Sequence, residues 1–101
     1  VKFKSEGYEC HVTLRPDPAK REVVERIAYQ LQFKTSVLLG DAVMGDERLL
    51  YCTGHSADSR KMYERMDALV SALRINGCQV LRQKIEHVIL DERFEQTTGP
   101  M

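Results

Sequence analysis

A chain of 101 residues fits one domain and leaves no room for two, and at 43% hydrophobic and 30% charged it has a globular rather than a disordered composition. Fifteen Lys and Arg balance fifteen Asp and Glu; without a basic surplus, nonspecific nucleic-acid binding is disfavoured, because such binding works by neutralising phosphates and releasing counterions. No apolar run approaches the roughly 20 residues that cross a bilayer, and Val1-Lys2-Phe3-Lys4-Ser5 contains no apolar stretch of the signal-peptide kind.

The first regular element is a strand over 8–15. Tyr8, Cys10, Val12 and Leu14 alternate with Glu9, His11, Thr13 and Arg15, a period of two that gives one buried and one wet face. Pro16-Asp17-Pro18 stops it, since proline cannot donate to a ladder. The same tripeptide starts a helix, with Asp17 as N-cap and Pro18 at the first helical position. Val23, Val24, Ile27, Ala28 and Leu31 then form an apolar stripe at helical spacing, ending near Leu31 or Gln32.

Thr35–Leu39 and Leu49–Thr53 are rich in β-branched and aliphatic residues and read as strands two and three. Gly45-Asp46 between them fits a hairpin turn, with Val43 and Met44 near its tip as an oligomer contact. Asp58 caps a second helix whose buried stripe is Met62, Met66, Leu69, Val70 and Leu73, and Asn76-Gly77 ends it. A last strand runs from Cys78 to about Leu90. On it Arg82, Lys84 and Glu86 oppose Leu81, Gln83, Ile85 and His87. His87 is expected to be partly buried and hydrogen-bonded. The domain thus spans 1–91, and 92–101, which lacks periodicity, is a flexible tail.

The three cysteines, Cys10, Cys52 and Cys78, form no Cys-x-x-Cys pair and no His/Cys cluster at zinc spacing. They are expected to be reduced, buried thiols of a cytoplasmic protein, with no metal site and no cofactor.

The order strand–helix–strand–strand–helix–strand resembles the ferredoxin-like β-α-β-β-α-β sandwich. The resemblance implies a four-stranded antiparallel sheet of order 4-1-3-2 with two helices on one face. The first and last strands are then neighbours, and their wet rows share the helix-free face. That face gathers Glu9, His11, Thr13, Arg82, Lys84 and Glu86, with Thr53 from the third strand. The first and third strands are read as parallel, which places Arg15 and His55 before helix N-termini at one edge of the sheet, a setting suited to an anion.

His11-Val12-Thr13-Leu14 is similar to the His–apolar–Thr–apolar signature of the 2H phosphoesterase superfamily, in which two such motifs flank a phosphodiester. The resemblance implies an acid–base role for His11 and a phosphate contact for Thr13. A second motif would fall at His87-Val88-Ile89-Leu90, where Ile89 takes the place of the hydroxyl residue. The pairing of a Glu-x-His-x-Thr strand (Glu9, His11, Thr13) with an Arg-x-Lys-x-Glu strand (Arg82, Lys84, Glu86) also resembles small uncharacterised bacterial proteins.

Three functions fit these residues. The first is binding of a small anionic or phosphorylated ligand on the open face, with Glu9, Arg15, Thr53, His55, Arg82, Lys84 and Glu86 as ligand-binding residues. The second is a homodimeric interaction module without catalysis. The third is a minimal phosphoesterase-like enzyme using His11 and Thr13.

Overall fold

The computed structural model describes residues 6–39 and 48–89. It contains β1 (Gly7–Leu14), a 3-10 turn (Pro18–Lys20), α1 (Arg21–Gln30), β2 (Lys34–Leu39), β3 (Arg48–Ser56), α2 (Ser59–Ile75) and β4 (Val80–Val88). Both helix starts follow their caps. The Asp17 carboxylate accepts from the Ala19 N–H and opens the 3-10 turn that leads into α1, while Asp58 accepts from the Lys61 N–H. Gly77, just beyond α2, takes φ +77°, the left-handed conformation that ends a helix at low cost in glycine.

The four strands form one sheet in the order β2-β3-β1-β4, and every neighbouring pair is antiparallel. One side of the sheet is the core. Cys10, Val12 and Leu14 of β1 and Leu50 and Cys52 of β3 pack against Val24 and Ala28 of α1 and Met62, Met66, Leu69, Val70 and Leu73 of α2. Both helices therefore cover the same face. Each large apolar side chain buried there contributes roughly 1.5–3 kcal/mol, which holds two single-striped helices onto the sheet.

Several expectations need correction. β1 and β3 are antiparallel, Tyr8 facing Ser56 and Leu14 facing Leu50. Each β-α-β crossover returns its second strand parallel to its first, so the hairpin partner of β2 must oppose β1. Arg15 and His55 consequently lie at opposite ends of the sheet. β3 runs three residues past Thr53, to Ser56. β4 begins at Val80 rather than Cys78, and its register with β1 shifts between Thr13 and Leu14. This irregularity brings Val80, rather than Leu81, against the core beside Ile85.

Cys78 is only half-buried, whereas Cys10 and Cys52 are fully enclosed; all three are free thiols. His87 is exposed and stacks on the Tyr8 ring opposite it, with centroids 4.6 Å apart. The expected turn at Gly45-Asp46, the Val43 and Met44 contact and the tail over 92–101 lie outside the described residues. Among the described residues no helix is long and apolar enough to cross a membrane.

Candidate functional site on the helix-free face

Directly paired residues share a face, so the register lays out the side of the sheet away from the helices. Three rows cross it. Glu86, Glu9 and His55 form one row, and Lys84, His11, Thr53 and Lys34 the next. Arg82, Thr13, Tyr51 and Ser36 form the third. β1, β3 and β4 are fixed by their opposite faces, whose apolar members pack in or against the core. The polar set has no alternative side.

His11 is the centre of the arrangement. Its Nε2 lies 2.7 Å from Glu9 Oε1 and 3.3 Å from Glu86 Oε1, and its Nδ1 lies 3.3 Å from Thr53 Oγ1. An ionised carboxylate only accepts, so the proton must sit on Nε2. In the neutral ring Nδ1 is then left to accept from the Thr53 hydroxyl, which fixes the tautomer. Glu9 is shared, because its second oxygen accepts from His55 Nε2 at 3.0 Å. Glu86 also accepts from Lys84 Nζ at 3.2 Å. The Lys84 ammonium, first by this hydrogen bond and then by its charge, holds the Glu86 carboxyl below the usual carboxylate range.

Both carboxylates are thus occupied by groups of the face itself. Arg82 and Lys34, by contrast, make no ion pair with any described residue. Lys34 is a member the sequence reading missed, because it took β2 to begin at Thr35. Extending the alternation back by one residue would have placed Lys34 beside Thr53.

Of the residues singled out from sequence, Glu9, His11, Thr53, His55, Lys84 and Glu86 come together, and Arg82 borders them. Thr13 lies on the same face between Arg82 and Tyr51, but it is 4% exposed and offers a ligand little surface. Arg15 is apart. It follows the last residue of β1, and it lines a cleft of about 270 Å³ with Pro16, Lys20, Val24, Gly77 and Cys78 at that end of the sheet. His55 precedes α2, but Ser56 and Asp58 are already engaged there: the Ser56 hydroxyl accepts from the Asp58 N–H and Asp58 caps the helix. Among the described residues no group of three or more His, Cys, Asp or Glu is placed to hold a metal ion.

Strand order, pairing and two helices on one face define a ferredoxin-like α+β domain. No family model matches the sequence, and no curated protein matches it. A solved structure from Chloroflexus aurantiacus J-10-fl, described as an antibiotic biosynthesis monooxygenase, is similar over 85% of this chain and 96% of its own, at 10% identity and a TM-score of 0.45.

Proposed function

We propose that the domain binds a small anionic or phosphorylated ligand on its helix-free face. The observation that carries this reading is the row Lys84–His11–Thr53–Lys34, a cation at each end with an imidazole and a hydroxyl between. Three strand spacings put the two lysine positions about 14 Å apart, and long flexible stems let both ammonium groups lean toward a ligand over His11 and Thr53. Arg82, next to Lys84 on the same strand face, adds a planar donor suited to phosphate. The two carboxylates would repel an anion if they were free. Glu86 is offset by Lys84, and Glu9 is engaged by two histidines, so their role is to hold donors in place.

The test is stabilisation of the protein by inorganic phosphate, measured by thermal unfolding against chloride at matched ionic strength. Lys34→Ala, Arg82→Ala and Lys84→Ala should each weaken the apparent affinity by about tenfold or more, since a charge-assisted hydrogen bond contributes about 1.5–3 kcal/mol. Arg26→Ala, on the exposed side of α1, should leave it unchanged. Phosphate that fails to stabilise the wild-type protein would contradict the reading. A concentration-dependent dimer that shields this face would favour the homodimeric interaction module instead.

A second reading rests on the Glu9–His11–Thr53 contacts. Carboxylate, imidazole and hydroxyl in that order fix a tautomer, as a general base requires, and this favours a minimal phosphoesterase-like enzyme in which His11 moves the proton. Hydrolysis of a phosphodiester that is lost in His11→Asn, with phosphate binding retained, would establish it.

A further inference from the structure

The histidine at the edge of this cluster is held from behind the sheet. Arg65, on α2, directs its guanidinium at three backbone carbonyls belonging to two different parts of the chain. Nε and Nη2 donate to Leu31 O at 3.1 and 3.0 Å, Nη2 also to Gln32 O at 2.9 Å, and Nη1 to the carbonyl of His55. The first two carbonyls lie in the turn after α1, where Gln32 takes φ +63° and the chain reverses into β2. The third belongs to the residue whose ring is bound to Glu9.

The guanidinium also lies over the Phe33 ring, 5.2 Å from its centroid. The residue next to His55 is shaped around this stack. A Cβ on Gly54 would stand 2.8 Å from Phe33 Cε1 and 3.2 Å from Arg65 Nη2. Phe33 is itself 5% exposed, so it has little freedom to yield.

We infer that Arg65 is a positioning residue for His55, tying the strand end that carries this imidazole to the α1–β2 turn and thereby setting the His55–Glu9 pair. The inference rests on the reading of the helix-free face as the binding site. A planar fork with donors on several sides is needed to span carbonyls from two segments, and a lysine ammonium does not reproduce it. Arg65 does not touch the ligand; it acts through the backbone of His55. Glu9 is shared by both histidines, so loosening His55 frees one carboxylate oxygen beside the anion and weakens binding.

The experiment compares full-length Arg65→Lys, Arg65→Gln and Val24→Ala with the wild type. Val24 is a core residue remote from His55, and its truncation controls for lost stability alone. Two readouts are taken on folded protein: the His55 and His11 ring resonances by NMR, and the affinity for inorganic phosphate. Both Arg65 variants should shift the His55 ring signals while leaving those of His11 nearer the wild type, and should weaken phosphate binding by about tenfold, within the range of mutations acting through a packed network. Val24→Ala should change neither. His55 ring signals that stay at the wild-type positions in both Arg65 variants would overturn the inference. That ring readout needs no ligand, so wild-type protein that ignores phosphate would defeat the binding-site reading while the positioning of His55 is still decided.

Discussion

Among single residues, the thiols and the Lys84–Glu86 pair respond to pH in opposite directions. Burial pushes the Cys10 thiol up to about 11 and Cys52 to about 12. Unfolded thiols ionise near pH 8.5, so above that pH the unfolded chain sheds protons that the native state keeps. Stability should therefore fall as pH rises from about 8.5 toward 11, as urea unfolding across that window would show. Under native conditions at neutral pH a thiol reagent should modify Cys78 well before Cys10 and Cys52; equal rates would contradict their enclosure. Glu86 has the other sign. Its depressed folded value means that pairing with Lys84 contributes above the unfolded value near 4.3 and is lost as pH falls through the folded one. Half-exposed as it is, the pair contributes about 0.5 kcal/mol or less. Lys84→Met should be less stable than the wild type by that amount at neutral pH, with the gap closing in acid. The shared face of Glu9, His11, Arg82, Lys84 and Glu86 was legible from alternation in β1 and β4 alone, because period two leaves His11 and Lys84 no choice of face once Cys10 and Ile85 enter the core. Lys34 and Arg65 were not. The first was lost to a boundary one residue off. The second sits on a helix among other charges, and its only signal was Gly54, a glycine inside a strand where something approaches closely.

At the scale of elements, caps and stripes located both helices, since Asp17, Asp58 and Gly77 act through local geometry that sequence spells out directly. Asp58→Ala should cost about 1 kcal/mol in urea unfolding, the usual value of an N-cap. A loss near zero would show that Ser56, which engages the Asp58 N–H, substitutes for it. The strand ends were less legible. The register shift between Thr13 and Leu14 depends on how the chain enters β4 after Gly77, a tertiary matter that no alternation pattern reveals. It leaves the pairs His11–Lys84 and Thr13–Arg82 intact, which is why the expected shared face of these four residues survived an error in the strand's start. The three extra residues of β3 bring His55 into register with Glu9; a strand ending at Thr53 would have left it in a loop.

For the whole molecule, the sheet order followed from the resemblance of the element order to the ferredoxin-like sandwich, and the observed order β2-β3-β1-β4 agrees with it. Strand direction was misjudged where it matters: β1 and β3 oppose each other, so the ends of the sheet carry different chemistry. Arg15 stands by the cleft at one end, and His55 with Glu9 and Glu86 lies toward the other. The helix-free face between them carries the account. Its most direct test is chemical-shift mapping of the intact protein during titration with inorganic phosphate at constant ionic strength. The account predicts saturable shifts centred on His11, Thr53, Lys84, Lys34 and Arg82, with the helical layer largely silent. Saturable shifts confined to the residues around Arg15 and Gly77, or no saturable shift anywhere, would contradict it.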